Sequence, residues 1–192
     1  MSQEKSQPQP AWIKEAPRPN SFRAILKWGA PTEFKHPNEH LVALMQKTFG
    51  LSQEDLTEPR NTGEQIIDFE LPRKLSQYKL KTFRNIVGSE NVATDTYTRI
   101  KNAYGKTMLD LMRLREGIVE NIPDAVLFPN SKKEIQEIVQ YCHKQRMPLY
   151  PIGGRSSVTR GFEAIKGGIA LDLTVHMNRI LELNETNHTI KV

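Results

Sequence analysis

The sequence predicts an α+β protein, with a largely helical portion to about residue 118 and a strand-helix-strand unit after it. Apolar residues recur at helical spacing as far as Gly117. At Ile122 the pattern changes to short apolar runs, and two of these bracket a capped amphipathic helix. The chain has 192 residues, 38% hydrophobic and 26% charged, so it can bury a core but is too short for two large domains.

Six of the 12 prolines fall before residue 40, at positions 8, 10, 17, 19, 31 and 37. Proline fixes φ and removes a backbone donor, so residues 1–37 are expected to form an extended arm. Trp12, Phe22, Ile25, Leu26 and Trp28 interrupt it, and side chains this large should hold the arm against a globular body.

A first helix is predicted from Asn38, with Leu41, Leu44, Met45 and Thr48 on one face and Gly50 as the stop. Residues 51–73 are polar and turn-rich. A second helix is predicted over 76–87, with Leu80, Phe83 and Val87 in register and Gly88 after it. A longer one is predicted over 94–116, lined by Ile100, Tyr104, Met108, Leu111 and Met112. Gly105 inside it costs about 1 kcal/mol relative to alanine, which points to close packing at that position.

Residues 125–128 form a short apolar run closed by Pro129, read as a buried strand. Ser131 and Glu134 make a capping box, and Ile135, Ile138, Val139 and Cys142 follow as the apolar stripe of a helix. Residues 148–152 are a second strand, running directly into Gly153-Gly154. Residues 169–173 are a third, and 189–192 begin a fourth with no sheet partner in view.

Composition narrows the function. The 27 basic and 22 acidic residues leave a net charge of +5, scattered rather than clustered, which argues against a nucleic-acid partner. A single cysteine, Cys142, excludes an intrachain disulfide framework and fits a reducing compartment. The polar, glutamine-rich start lacks the apolar core of a signal peptide, and no run is long enough to cross a membrane, so a cytoplasmic location is expected. No Ser/His/Asp triad, paired carboxylates or metal constellation can be assembled.

The most informative stretch is Pro151-Ile152-Gly153-Gly154-Arg155-Ser156-Ser157-Val158. A strand ending in two glycines can bring bare backbone N–H groups close to a pyrophosphate. Ser156 and Ser157 add hydroxyl donors, and Arg155 can add a charge-assisted contact. The spacing is not GxGxxG and there is no Walker lysine, so neither of those phosphate motifs applies. Taken alone, a Gly-Gly after a strand is also an ordinary turn.

Four strings in order, Leu114-Arg-Glu-Gly117, Ile122-Pro-Asp-Ala-Val-Leu-Phe-Pro129, Pro151-Ile-Gly-Gly154 and Met177-Asn-Arg-Ile180, give the chain a family resemblance. It resembles the FAD-linked oxidase superfamily of the p-cresol methylhydroxylase type. Within that superfamily it is most similar to the ether-lipid flavoenzymes of the alkylglycerone-phosphate synthase family. Lys27-Trp-Gly29 and the acidic-to-arginine stretch over 95–115 belong to the same likeness, which is good over residues 80–192 and loose before them.

The resemblance implies a Pro-rich arm over 1–37, a helical extension over 38–118 and, over 119–192, the first lobe of a two-lobed FAD-binding domain. It implies that residues 151–158 wrap the FAD pyrophosphate and that Asp172, Thr174, His176, Met177 and Asn178 lie along the cofactor. No histidine lies within 151–158, which favours non-covalent FAD. Where the family loop has a third glycine followed by threonine, this chain has Arg155 and Ser156. Arg155 can point away from the phosphates or pair with them, and the outward orientation is favoured because the family manages without the charge. The stretch between Asp172 and Met177 is one residue longer than the commonest pattern.

The implied activity is acyl-to-alkyl exchange on an acylated dihydroxyacetone phosphate. The alternatives are an FAD-linked oxidase or dehydrogenase of a small 2-hydroxy acid, and a non-enzymatic basic binding module. The expected partners are FAD and a small-molecule or lipid-like substrate, and peripheral membrane contact and a homodimer are compatible with them. No catalytic residue is assigned. Residues 1–192 by themselves are expected to be inactive and not to retain FAD through gel filtration.

Plainer expectations cover the rest. His143 and His176 read as structural or solvated, Cys142 as a buried inert thiol, and Asp124 as a local cap. Arg99, Lys106, Arg113 and Arg115 read as the solvated face of one long helix, with Arg115 and Glu116 also suited to bracing the domain junction.

Overall fold

The computed structural model describes residues 17–25, 38–56, 61 and 63–192. The chain divides into two compact units, residues 1–66 and 67–192.

In the first unit, α1 (Phe22–Ile25) is one helical turn with Phe22 and Ile25 buried. That part of the arm is therefore helical rather than extended, and Trp12, Leu26 and Trp28 lie outside the described residues. Arg23 pairs with Glu64 at 2.5 Å, and Ser21 bridges to Ile66. Helix α2 (Glu39–Phe49) starts as expected, with the Asn38 side chain accepting from the Leu41 N–H, and stops at Gly50 in a left-handed conformation. None of its residues is buried.

The second unit holds a four-stranded sheet in the order β1-β2-β4-β3: β1 is Val92–Ala93, β2 Ala125–Leu127, β3 Leu149–Ile152 and β4 Ile169–Asp172. Strands β2, β4 and β3 are parallel, and β1 adds antiparallel to β2. The strand-helix-strand unit is present, but β4 inserts between its two strands. Strand β6 (Thr189–Lys191) does have a sheet partner: it pairs with β5 (Glu182–Asn184) in a separate antiparallel hairpin.

Helices α3 (Gln77–Val87) and α6 (Lys132–Lys144) cover one sheet face. Leu80, Phe83 and Val87 from α3 meet Ala125 and Leu127 of β2, Ile169 and Leu171 of β4, and Ile138 and Cys142 of α6. Phe83 and Tyr141 stack edge to face at 5.3 Å. The alternate strand residues, Val126, Ala170 and Ile152, face the other way and pack with Phe128, Tyr150 and Phe162. This two-sided burial explains why β2 and β4 read as unbroken apolar runs. Cys142 is buried, and burial pushes its thiol up to about 11, as suits an inert packing residue.

Two expectations are corrected. The long helix over 94–116 is two helices, α4 (Thr96–Lys101) and α5 (Met108–Arg115), separated by an irregular turn. Asp95 caps the first and Thr107 the second, each accepting from a backbone N–H three residues on. The helical stretch over 38–118 is also not a separate body. It is shared between the two units, because α3 packs on α6 and β1 extends the sheet.

The basic residues do not share a solvated face. Arg99 is 1% exposed, and its guanidinium donates to the carbonyls of Pro123 (2.8 Å), Leu71 (2.9 Å) and Pro72 (2.9 Å). Burial pulls its pKa below the usual value, with the Asp124 charge opposing. Asp124 itself is no local cap. Its carboxylate accepts from the N–H of Lys74 (2.7 Å) and of Gly168 (2.8 Å), tying the entry to the unit to the start of β4. Arg113 pairs with Glu120 at 2.9 Å.

Replacing Arg99 by methionine keeps much of the volume but orphans three carbonyls. Each buried unsatisfied acceptor costs about 1–3 kcal/mol, so a loss of roughly 3 kcal/mol or more is expected in urea unfolding. A loss under about 1 kcal/mol would mean that water reaches those carbonyls.

Candidate FAD-binding site

Strands β3 and β4 are in register from Leu149↔Ile169 to Ile152↔Asp172. The segments that follow them therefore leave the sheet side by side at its carboxyl edge, where open α/β sheets bind their ligands. Residues 151–157 and Phe162 line a cleft of about 150 Å³ there. Gly153, Gly154 and Ser156 are exposed in it, whereas Ile152 is buried in the sheet.

Nothing in the chain itself demands glycine at 153 or 154. A Cβ built on Gly153 meets nothing within 4 Å, and one on Gly154 meets only the Ser156 hydroxyl at 4.0 Å. Neither φ lies in the left-handed region. The missing side chains leave the backbone open on the cleft, an arrangement compatible with the pyrophosphate of FAD.

Gly105 is the opposite case. A Cβ there would overlap the Ser157 carbonyl oxygen outright, so the turn between α4 and α5 lies directly on the loop. The Lys106 N–H donates to that same carbonyl at 2.7 Å. The close packing inferred at Gly105 is present, in the turn that separates α4 from α5.

Arg155 neither turns outward nor reaches for a phosphate. Its guanidinium donates to the Asp172 carboxylate, which is fully buried, and its Nε donates to Asn102 Oδ1 at 3.1 Å. It adopts φ 53°, the left-handed region in which a glycine is at ease. The other Asp172 oxygen accepts from the Thr174 N–H (2.9 Å) and hydroxyl (2.7 Å). One carboxylate thus joins the loop after β3 to the segment after β4.

The remaining sequence candidates are placed differently. His176 Nε2 sits 2.9 Å from Asn91 Oδ1, which fixes the 172–178 segment against the end of α3. Asn178 donates to the Thr174 carbonyl at 3.1 Å, closing a turn. Met177 and Val158 are exposed, and Val158 lies beyond the cleft lining.

Sequence reasoning missed Phe162 in the cleft lining. Lys101 and Lys106 both feel the Arg155 guanidinium. Burial first, then Arg155, holds Lys101 below its ordinary value, with Asp172 opposing. Burial, Arg155 and Lys101 bring Lys106 down to about 8. Burial likewise raises the Tyr97 phenol beside them. Among the described residues no group of histidine, cysteine, aspartate or glutamate could hold a metal ion, and no helix is long and apolar enough to cross a membrane.

Residues 123–192 match the family described as FAD binding domain. The chain is 29% identical over 136 residues to alkyldihydroxyacetonephosphate synthase of Trypanosoma brucei brucei, covering 68% of this chain and 22% of that protein. It is 26% identical over 162 residues to a mitochondrial D-lactate dehydrogenase (cytochrome) of Arabidopsis thaliana, covering 80% of this chain and 25% of that one. A solved alkyldihydroxyacetonephosphate synthase superposes with a TM-score of 0.60 at 27% identity, over 66% of this chain and 24% of its own. The chain thus spans about a quarter of the length of the relatives it matches.

The glycines separate binding from folding. Gly154→Val should leave stability within about 0.5 kcal/mol yet weaken FAD at least tenfold, about 1.4 kcal/mol. Gly105→Ala should instead cost about 1–3 kcal/mol of stability, because backbone must shift to admit the methyl group. Urea unfolding and FAD titration of both variants check this, and equal FAD affinity for Gly154→Val would mark the loop as an ordinary turn.

Arg155→Ala leaves Asp172 buried without its cation and keeps the unfavourable φ, for a loss of roughly 3 kcal/mol. Arg155→Gly orphans the same carboxylate but relieves the backbone by about 1 kcal/mol. Unfolding should therefore rank wild type above Arg155→Gly and Arg155→Gly above Arg155→Ala. A glycine variant as stable as wild type would mean that the ion pair contributes nothing.

Proposed function

From the premise that this chain belongs to the FAD-linked oxidase superfamily, we propose that residues 151–158 hold the pyrophosphate of a non-covalent FAD in a synthase of ether lipids. The observation that carries the proposal is the pair Gly153-Gly154 at the carboxyl end of β3, open on the side where a side chain would stand. In the family, FAD supplies the redox-active ring that takes part in exchanging an acyl chain for a fatty alcohol. The residues of this chain would bind and orient it: the loop backbone over 153–157 and the Ser156 and Ser157 hydroxyls would hold the pyrophosphate, and Asp172 and Thr174 fix the neighbouring segment. The lack of a histidine in 151–158 supports dissociable flavin. A substrate of lipid character and a cytoplasmic location belong to the same reading, the latter supported by a single, buried cysteine.

A second reading, oxidation of a small 2-hydroxy acid, is favoured by the similarity to a D-lactate dehydrogenase over 80% of the chain. At equilibrium, where weak binding suffices, titration with the chain should quench FAD fluorescence saturably even though gel filtration strips the flavin, and inorganic pyrophosphate should compete. Absence of any saturable quenching would overturn the FAD assignment. Anaerobic addition of D-lactate or glycolate to the chain with FAD present should leave the flavin oxidised, whereas rapid bleaching would favour the second reading.

A further inference from the structure

The loop after β3 has little of its own to hold its shape. A Cβ on Gly153 or Gly154 would meet nothing closer than 4.0 Å. Glycine has more conformational freedom to lose than any other residue, so an unrestrained loop here would bind a ligand only after giving that freedom up. Two tethers act just beyond the glycines. The Arg155 guanidinium spans Asp172 and Asn102, and the Ser157 carbonyl accepts the Lys106 N–H at 2.7 Å.

The two partners of Arg155 differ in origin. Asp172 ends β4, the sheet neighbour of β3. Asn102 comes from the end of α4, outside the 123–192 span that matches the FAD binding domain family. It is 2% exposed and engaged at both ends of its amide: Oδ1 accepts from Arg155 Nε at 3.1 Å, and Nδ2 donates to the Thr98 carbonyl at 3.0 Å. That carbonyl already accepts the Asn102 N–H at 3.2 Å, so α4 is closed without the side chain. What the second bond to Thr98 adds is direction. It turns the amide oxygen toward a guanidinium that can only donate. Asp172 alone would let the guanidinium swivel, whereas a further contact at Nε, on another edge of the same rigid plane, fixes it.

We propose that Asn102 is a positioning residue for the cofactor: acting through Arg155, it holds the glycine loop in its binding shape before the pyrophosphate arrives. The proposal rests on the FAD reading for the identity of the ligand. It adds to that reading a residue from the helical stretch before the flavin lobe.

The test uses the chain and its Asn102→Ala, Asn102→Asp, Arg155→Lys and Asn102→Ala/Arg155→Lys variants, titrated with FAD and with inorganic pyrophosphate and melted in parallel. Amide-nitrogen order parameters over 153–157 and the exchange rate of the Lys106 amide report on the loop without ligand. Asn102→Asp keeps the oxygen that accepts from Nε and removes the donor to Thr98. Arg155→Lys keeps a cation for Asp172 and removes Nε. Asn102→Ala should weaken both ligands about fivefold, the effect that one hydrogen bond accounts for, and should also lower the loop order parameters and speed Lys106 exchange. Asn102→Asp should stay within about twofold of wild type. In the Arg155→Lys background, Asn102→Ala should weaken binding no further, because the contact it removes is already gone.

Unchanged affinity and loop order in Asn102→Ala would overturn the proposal while leaving FAD binding intact. An equal loss in Asn102→Asp, or a loss undiminished in the Arg155→Lys background, would make Asn102 a cap of α4 and overturn it too. So would a fall in melting temperature large enough to account for the lost affinity. Failure of the wild-type chain to bind either ligand would overturn the FAD reading and this proposal with it.

Discussion

The buried carboxylate of Asp172 is the constraint on which the site depends. It ends β4 inside the sheet, fully removed from water, where an unpaired negative charge would cost several kcal/mol. Arg155 answers it from the loop after β3, and to do so takes a left-handed backbone conformation that an arginine adopts reluctantly. The same guanidinium reaches Asn102, so one charge pair brings together the ends of two strands and the turn after α4. Arg160 repeats the device a few residues on, also at positive φ and 3.3 Å from the buried Asp110. The loop over 153–164 is therefore fastened at two arginine-aspartate pairs, and the glycines before the first stay free of protein contacts.

This arrangement follows from the topology. Parallel strands that are neighbours in a sheet deliver their following segments to the same edge, and β3 and β4 are neighbours because β4 inserts beside β3 rather than at the sheet's far side. Had β4 joined the sheet away from β3 instead, Asp172 would have emerged at least a strand away from Arg155. The cleft is a consequence of strand order as much as of the glycines.

Much of this was legible in the sequence. Asn38, Ser76 and Ser131 mark helix starts because a short oxygen-bearing side chain satisfies a free N–H, and each does so in the structure. The Gly-Gly after a strand falls on the lining of the cleft. What was not legible is long-range. Ile100, Tyr104, Met108 and Met112 sit at helical spacing across a break, so periodicity alone joined α4 to α5. The signals against a continuous helix were Asn102, Gly105 and Thr107, and their meaning depends on Ser157, a residue some fifty positions away. Arg99 and Asp124 read as surface and local because their partners, carbonyls and N–H groups of the main chain, leave no trace in a pattern of side chains. The orientation of Arg155 was underdetermined for the same reason: Asp172 was visible as a neighbour of the cofactor, not as a partner for the loop.

The glycines show how a site can be told from a fold. Gly105 is required by what the chain itself puts next to it, and its absence of a side chain is explained without any ligand. Gly153 and Gly154 have open space where a side chain would go and a backbone conformation that other residues adopt freely. Glycine there carries an entropic cost on folding that no intrachain contact offsets, as the proposed ligand site would require. The surroundings say what kind of ligand suits that site. Residues 151–157 and Phe162 line the cleft, and the neighbouring Asp172 carboxylate is already satisfied by Arg155 and Thr174. A compact anion is the species that each of these features accommodates at once.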